Sequence, residues 1–246
     1  HLLSDKELVA FGFASMLPGL VDLREQFPLA HHEHEPELST YQLHHSGRFA
    51  PGTEQIADEL GYRHPSVKKG EVHEPWVMTT DLLLTLKNRI GRTELLAISV
   101  KGDNEITDQR KLQLLRIERE YWRRQDVFWL LLTPTLYTVL VGNAIRIGMP
   151  WTVGQPDVRA DVLITCSAMA DEIRGRTVLQ FLNLLSQKFG MDRHAAQCVM
   201  WQCIWCGGLP INLSRPLRLN EPLELLTLEE FWRQNPIASR RTAWSH

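Results

Sequence analysis

The stretch that decides the fold reads Val77-Met78-Thr79-Thr80-Asp81-Leu82-Leu83-Leu84, and after a turn it is followed by Leu95-Leu96-Ala97-Ile98-Ser99-Val100-Lys101. Both are short apolar runs of the length that favours buried β-strands. The connection 87–92 contains Asn and Gly, which hairpin turns favour. An antiparallel hairpin would bring Asp81 and Lys101 to the same end of a sheet, although a charged residue at a strand end is more often a solvated tip.

The segments around this hairpin predict a mixed sheet flanked by helices. Ser4-Asp5-Lys6-Glu7 has the capping-box pattern that begins a helix, here over 4–16. Residues 20–27 alternate as a strand does, 108–124 have the spacing of a helix with a wet, basic face, and 127–132 read as a buried strand. The order helix, three strands, helix, strand is typical of an α/β layer.

Composition limits the classes of protein to which the chain can belong. Its 246 residues are 43% hydrophobic, which fits one large or two modest domains. We find no apolar run of about 18 residues and no signal-peptide pattern, and the start at His1 rather than Met predicts that an N-terminal piece is missing. Four cysteines fit a reducing cytoplasm better than a disulfide framework. A net charge of -2 argues against holding nucleic acid by charge alone, so any DNA contact would be local or shared with a partner.

The pattern changes after Thr133-Pro134, and we predict a domain boundary near residue 150. The expected domains are 1–150 and 151–246, with 135–150 as a connector. Helices are predicted over 157–170, 177–189 and from Asp192 to about Cys206, with 209–213 as a strand or wing. Three helices and a wing resemble a winged-helix module, although the candidate recognition helix is apolar. The basic tail 237–244 is expected to be flexible, and it is a weak candidate for docking a partner.

Histidines crowd the segment 28–75, and this insertion, densest around 30–50, invites a metal hypothesis. They are His31, His32, His34, His44 and His45. Their spacing suits no regular three-ligand geometry, so a solvated, partly mobile loop is the preferred interpretation, with a short helix over 53–60. Cys203-x-x-Cys206 is a weak zinc signal for a similar reason, and buried free thiols are favoured there.

Several stretches closely resemble the TnsA family, the endonuclease subunits of heteromeric Tns-type transposases. These are His1-Leu2-Leu3-Ser4-Asp5-Lys6-Glu7-Leu8, Val21-Asp22-Leu23-Arg24-Glu25-Gln26-Phe27-Pro28-Leu29, Met78-Thr79-Thr80-Asp81, Val100-Lys101 and Ile117-Glu118-Arg119-Glu120-Tyr121-Trp122. The resemblance covers about 1–135 well and continues weakly over 150–235. It implies an α/β fold of the restriction-endonuclease-like, PD-(D/E)xK type in 1–150, and a mainly helical, winged-helix-like domain in 151–246.

The same resemblance implies an activity and its partners. A bacterial TnsA-like subunit would hydrolyse the phosphodiester at the 5′ ends of the transposon DNA with magnesium, for which manganese can substitute. A DDE-type, TnsB-like transposase subunit would cut the 3′ ends. An ATPase regulator of the TnsC kind would be a further partner, engaging the C-terminal domain.

Carried over position by position, the resemblance assigns catalytic roles to Glu7, Asp81 and Lys101. Asp81 and Glu7 would hold the metal, since carboxylates bind magnesium, and Lys101 would orient the water or stabilise the charged transition state. Ser99 is a departure, because the family pattern has Gln there; it would offer a hydroxyl or its carbonyl. The carbonyl of Val100 would complete the metal shell.

Other assignments have structural alternatives of similar weight. Glu118 would assist an outer-shell water or pair with arginines one helical turn away. Glu7 is also explained as the third residue of the capping box. A DNA-binding role is assigned to Lys111, Arg116, Arg119 and Arg123, which otherwise form a solvated face.

Two functions of different class follow. In the first, the chain is an active, magnesium-dependent endonuclease subunit. In the second, Ser99 makes the site too poor to hold metal, and the chain is a non-catalytic adaptor that links a transposase subunit to its ATPase regulator. Two carboxylates and a lysine favour the first, because an adaptor has no physical need for them.

Overall fold

A computed structural model of the chain describes residues 4–41, 47–69, 72–88 and 90–245. It divides into two compact units. The sheet unit comprises Gly19–Thr133 and Thr242–His246, and the helical unit comprises His1–Pro18 and Pro134–Arg241. Within the described residues, no helix is both long enough and apolar enough to cross a membrane.

The sheet unit is built on a four-stranded mixed sheet. The strands are β1 (Leu20–Pro28), β2 (Ser66–Lys69), β3 (Val72–Pro75), β4 (Thr79–Lys87), β5 (Thr93–Val100) and β6 (Phe128–Leu132). The main sheet has the order β1-β4-β5-β6, and β2 pairs with β3 in a separate ribbon. β1, β4 and β5 pair antiparallel, whereas β6 lies parallel to β5. A parallel partner requires a crossover, which the helix between β5 and β6 supplies.

The helices divide between the two units. They are α1 (Asp5–Ser15), α2 (Thr53–Glu59), α3 (Gln109–Arg124), α4 (Val139–Gly148), α5 (Ala160–Ala168), α6 (Ala170–Ile173), α7 (Val178–Phe189), α8 (Arg193–Trp205) and α9 (Leu228–Arg233). In the sheet unit, α3 begins at Asp108, whose side chain accepts from the Lys111 amide. It buries Leu115 and Trp122 in a core shared with Leu83 and Ala97 of the hairpin.

The helical unit packs α1 with the helices that follow β6. Ser4 and Glu7 form the capping box at the start of α1. Asn235 ties the other end of the unit to this helix, since its Nδ2 donates to the Phe13 carbonyl over 2.8 Å. A Cβ added to Gly148 of α4 would lie 2.6 Å from the Trp201 ring. Gly148 therefore permits α4 to approach α8 closely.

The structure confirms the mixed α/β class and the elements that carry the candidate site. The hairpin pairs Leu82 with Ile98 through Lys87 with Thr93. The capping-box helix, the strand after it, the short helix in the insertion, the long basic helix and the buried strand are all present within a few residues of their predicted bounds. The turn residue Arg89 lies outside the described residues.

Several expectations for the C-terminal half are wrong. The predicted connector 135–150 contains α4, which buries Val141 and Ile145 on one face. The helix predicted over 157–170 is present as α5, over Ala160–Ala168, and the short helix α6 follows it. The candidate wing 209–213 forms no strand; it has one isolated bridge, between Ile211 and Leu225. The chain passes from the sheet unit to the helical unit between Thr133 and Pro134, and α1 belongs to the helical unit, so the two units do not coincide with the ranges 1–150 and 151–246.

The histidine-rich insertion is more ordered than the predicted solvated loop. Leu29 and Leu38 are buried. The His34 ring stacks on Tyr121 with centroids 5.2 Å apart, and its Nε2 lies 2.9 Å from the Tyr121 hydroxyl. His44 and His45 lie outside the described residues. The described part of the insertion thus packs on α3.

The tail predicted to be flexible is bound to the sheet unit at its end. The Ala243 amide donates to the Leu131 carbonyl over 2.9 Å, so the tail lies against the outer edge of β6. The Trp244 ring lies edge-on to Trp129 with centroids 5.4 Å apart. The Arg119 guanidinium stands 5.6 Å from the Trp244 ring centroid. The end of the tail is therefore held by residues of its own chain.

We expect Trp244→Ala to lower the free energy of unfolding by about 1–3 kcal/mol, because it removes an aromatic pair, a cation–π contact and the cover over Trp129. Chemical denaturation followed by fluorescence measures the change. Trp76→Ala is the matched control, since Trp76 is 55% exposed. Equal stability of the two variants would show that the tail contributes nothing.

Candidate active site

The candidate site lies where β4 and β5 part. The last residue pair of their ladder is Leu82 with Ile98, and Asp81 directly precedes Leu82 in β4. Its Oδ2 accepts the Val100 amide over 2.6 Å and the Lys101 Nζ over 2.8 Å. The carboxylate thus replaces the backbone acceptor that Val100 would have in a continued ladder. The predicted pair is in direct contact, with Asp81 6% exposed.

Gln26 of β1 supports the other oxygen of Asp81. Its Nε2 donates to Asp81 Oδ1 over 3.3 Å, and its Oε1 accepts the Thr79 hydroxyl over 3.1 Å. The Gln26 backbone has φ 48°, a left-handed conformation that is unfavourable for a residue with a side chain. Strained backbone of this kind is common beside functional groups. The strain here aims the amide of Gln26 at the carboxylate.

A buried hydrogen-bond network holds Glu118 of α3 beneath this pair. The hydroxyls of Thr80 and Ser99 both donate to Glu118 Oε1, over 2.7 and 2.5 Å. Each hydroxyl in turn accepts an indole N–H: Trp122 donates to Thr80 over 2.6 Å, and Trp129 donates to Ser99 over 2.9 Å. Two tryptophans therefore polarise two hydroxyls toward one carboxylate.

The charges of Glu118 and Lys101 depend on each other. Burial raises the pKa of Glu118, while the positive charge of Lys101 opposes the rise. Burial alone would lower the pKa of Lys101, but the negative charges of Asp81 and Glu118 outweigh it and the net pKa is raised. Lys101 is therefore an ammonium group throughout the neutral range.

The network also defines what Ser99 can do. Its hydroxyl already donates to Glu118 and accepts from Trp129, and the residue is fully buried. The hydroxyl is thus engaged inside the sheet unit. The part of Ser99 in a metal site stays a prediction.

A cleft opens beside the charged residues. Its volume is about 260 Å³, and its lining includes Trp76, Thr79, Lys101, Lys111, Leu114 and Glu118. Glu118 is almost fully buried, whereas the Lys101 side chain is 27% exposed. The ammonium group and the carboxylate network therefore border a space that a ligand can enter.

Glu7 is found in the helical unit, on α1. Its Oε2 accepts the Ser4 amide over 2.7 Å, and its own amide donates to the Ser4 hydroxyl over 3.3 Å. The capping role considered for Glu7 is thus realised. Its assignment as a metal ligand stays a prediction.

The basic residues predicted to bind DNA have different surroundings. Lys111 lines the cleft and lies 3.4 Å from Glu105. Arg116 donates to the Tyr62 hydroxyl over 2.8 Å, and Arg119 stacks on Trp244. Arg123 pairs with Glu120 at 2.6 Å. Their DNA-binding role stays a prediction, and Lys111 is the one of them that borders the cleft.

A second hollow, of about 690 Å³, was not foreseen from the sequence. Its lining includes Arg63, Pro65, Lys68, His73 and Arg110, so most of its charged groups are positive. Pro65 also lines the cleft. The basic hollow, as we call this surface, therefore adjoins the cleft.

The sequence did contain a signal for the buried network. Glu118 stands three residues after Leu115 and four before Trp122, both of which are buried on α3. A carboxylate on the apolar stripe of a helix needs polar partners inside the fold. Nothing local identified Thr80 and Trp129 as members of this network, or Gln26 as the residue that contacts Asp81.

We expect Glu118→Gln to change how stability depends on pH. A carboxyl whose folded pKa is raised stabilises the fold below its ordinary pKa of 4.5, and this contribution is lost as pH rises through the raised value. The stability of the variant relative to the natural protein should therefore increase from pH 4.5 upward, by about 1.4 kcal/mol for each pH unit of the raised interval.

Denaturation at several pH values between 4 and 8 measures this difference. Glu229→Gln, which changes an exposed glutamate of α9, is the control, and its difference from the natural protein should stay flat. A relative stability of Glu118→Gln that falls with rising pH would mean that the network lowers the pKa of Glu118 instead.

Comparison with known proteins finds a family model that matches the part of the chain carrying this site. Residues 21–134 match the model of the TnsA-like endonuclease N-terminal domain. This range is nearly that of the sheet unit and contains Asp81, Ser99, Lys101 and Glu118.

One curated relative extends the similarity beyond that domain. The transposon Tn7 transposition protein TnsA of Escherichia coli is 29% identical over 187 residues, which are 76% of this chain. The chain spans 59% of the length of that relative. The two comparisons show that the chain is similar to TnsA over much of its length, and that residues 21–134 resemble a TnsA-like endonuclease N-terminal domain.

Proposed function

We propose that the chain is the DNA endonuclease subunit of a transposase, and that it hydrolyses the phosphodiester at the 5′ ends of the transposon with magnesium. The observation that carries the proposal is the contact of Asp81 with Lys101 beside a cleft, within a TnsA-like domain. The proposal includes a restriction-endonuclease-like fold for the sheet unit.

The carboxylate of Asp81 fits a magnesium ion. Asp81 Oδ2 is engaged by Val100 and Lys101, but Oδ1 accepts only the long bond from Gln26 among the contacts described. That oxygen has lone pairs to offer a hard cation, which prefers oxygen ligands. We assign Asp81, Glu7 and the Val100 carbonyl as ligands, with the Ser99 carbonyl as a further candidate. When bound, magnesium or manganese would activate water and neutralise charge on the leaving oxygen.

Lys101 supplies the fixed positive charge of the site. Its Nζ is held by Asp81, and its raised pKa keeps it protonated at neutral pH. A phosphodiester gains negative charge in the transition state, and a preorganised ammonium group in a partly dry site stabilises that charge. Lys101 also has protons with which to orient an attacking water.

Glu118 acts through its neighbours in this proposal. Its carboxylate contributes to the raised pKa of Lys101, and its bonds from Thr80 and Ser99 fix β4 and β5 on either side of Asp81. The family pattern has Gln at position 99. In this chain Ser99 occupies that position, and its hydroxyl supports the site by holding Glu118. This division of roles favours an active enzyme over the adaptor hypothesis.

The basic hollow and Lys111 give the DNA backbone a path to the cleft. Arg63, Lys68 and Arg110 supply positive charge next to Pro65, which lines both cavities. Arginine and lysine bind phosphates without reading sequence, so this surface would position DNA and leave the choice of end to other contacts. The net charge of -2 makes a shared DNA complex the reasonable setting.

The proposed partners follow from the family. A TnsB-like transposase subunit of the DDE type would bind the transposon ends and cut the 3′ strands. A TnsC-like ATPase regulator would engage the C-terminal part of the chain, over residues 151–246.

We expect Asp81→Asn to abolish nicking of the 5′ strand, lowering the rate by roughly 10³-fold or more, because the carboxylate charge needed for the metal is lost. Asparagine keeps an oxygen for the Val100 amide, so the fold should persist. The assay mixes the protein with its cognate transposase subunit, a labelled transposon-end duplex and magnesium, and scores 5′-strand nicks.

Asp58→Asn changes an exposed aspartate of α2 and should nick normally. Glu7→Gln tests the second proposed ligand in the same assay. If the natural protein leaves the 5′ strand intact while the 3′ strand is cut, the endonuclease proposal is wrong and the adaptor hypothesis replaces it.

We also expect Lys111→Ala to weaken DNA binding and to reduce the slope of log K against log salt concentration by about one, since one phosphate contact is lost. Arg123→Ala should change the slope less, because Glu120 already neutralises Arg123. Binding of the duplex is measured in the Asp81→Asn background at several salt concentrations. Lys188→Ala, on α7, is the control, and equal slopes for all variants would exclude the proposed DNA path.

A further inference from the structure

Three side chains able to bind a metal meet in the sheet unit, outside the set that the proposed function uses. His31 follows β1, Glu54 lies in the first turn of α2, and His64 lies between α2 and β2. One candidate ligand atom from each lies within 4.8 Å of the other two. All three residues are half-buried. Residues distant in the sequence thus converge on one point of the fold.

The first pair already has the separation of two ligands on one metal. His31 Nδ1 lies 3.4 Å from Glu54 Oε1. Atoms bound to tetrahedral zinc at about 2.0–2.2 Å lie roughly 3.3–3.6 Å apart. The largest separation in the cluster, at most 4.8 Å, has to close by roughly 1 Å to reach that spacing. A change of this size needs only side-chain rotation.

The hydrogen bond of His64 selects the nitrogen that can bind. Its Nδ1 lies 2.9 Å from the Pro65 carbonyl oxygen, which can only accept a proton. Nδ1 therefore carries the proton, and Nε2 has the lone pair that can bind a metal. Histidines that bind zinc commonly donate their other nitrogen to a backbone carbonyl in this way.

Thr53 can release His64 without leaving a buried polar atom unpaired. Its hydroxyl lies 3.0 Å from His64 Nε2 and 3.3 Å from the Ala30 carbonyl oxygen. Without metal, the hydroxyl can donate to His64 Nε2, because that nitrogen carries no proton. When a metal takes the lone pair of His64, the hydroxyl proton can turn to Ala30.

We infer that His31, Glu54 and His64 form a zinc-binding site, with water as the fourth ligand. Two imidazoles and one carboxylate suit zinc, whereas magnesium prefers oxygen ligands alone. The site contains none of the residues proposed for hydrolysis, so it stands independently of the endonuclease proposal. It accounts for His31 and His64, which the proposed DNA chemistry does not use as ligands.

The zinc would join three parts of the histidine-rich insertion. It would link the chain after β1 to the start of α2 and to the turn before β2. His64 also lines the basic hollow beside Arg63 and Arg110. The metal would therefore fix one wall of that surface and would act as a structural tie.

The test is a zinc titration of the full chain carrying Asp81→Asn, which removes a ligand of the proposed catalytic metal. The protein is stripped with a chelator and titrated against a chromophoric zinc chelator. We expect one tightly bound equivalent, a raised thermal midpoint, and a visible cobalt(II) spectrum of a four-coordinate site. His31→Ala and Glu54→Gln should each weaken zinc binding at least tenfold and remove the thermal shift. His73→Ala, an exposed histidine outside the cluster, should change neither.

Glu54→Gln is isosteric, and circular dichroism checks that it is folded. The inference is wrong if the parent protein binds no equivalent of zinc, or if Glu54→Gln binds it as tightly as the parent. Equal weakening by His73→Ala would also overturn it, because binding would then come from scattered surface histidines.

Discussion

The carboxylate of Asp81 takes the place of a backbone acceptor where two strands diverge, and the rest of the site depends on that substitution. β4 and β5 must part for a cleft to exist, and parting leaves the Val100 amide without a ladder partner. A buried amide left unpaired costs about 1–3 kcal/mol. The bond of 2.6 Å from Val100 to Asp81 removes that cost. It also fixes the carboxylate in one orientation and places Lys101, the next residue along, against it. The fold and the candidate chemistry therefore both require the carboxylate of Asp81.

Beneath that pair, the structure balances a buried negative charge. Burial opposes ionisation of Glu118, whereas Lys101 and the hydroxyls of Thr80 and Ser99 favour it. Each hydroxyl is held by a tryptophan, so both have a single useful orientation. Ser99 is thus more than a small neutral replacement for Gln. It joins the indole of Trp129 to the carboxylate and connects β6 to α3 through β5.

The sequence predicted what depends on neighbouring residues and missed what depends on distant ones. The capping box, the hairpin and the basic helix have local causes, and the structure has all of them. The contact of Asp81 with Lys101 followed from the hairpin. The Glu118 network joins residues up to 42 positions apart, which no local pattern shows. α4 was missed because Gly142 and Gly148 resemble breaks, although close approach to Tyr137 and Trp201 explains both. The order of the tail was not predicted, because the residues that it contacts, Leu131 and Trp129, lie in β6 and are distant from the tail in the sequence.

The path of the chain determines how firmly the two units are linked covalently. The chain passes from one unit to the other after Pro18, after Thr133 and after Arg241. The helical unit is thus tethered by three covalent connections, and one proteolytic cut at any of them leaves the two units attached. A fragment ending at Thr133 would lack the segment that pairs with Leu131 and covers Trp129, so it would expose the edge of β6. Exposed strand edges recruit other chains, and such a fragment should therefore self-associate more readily than the whole chain.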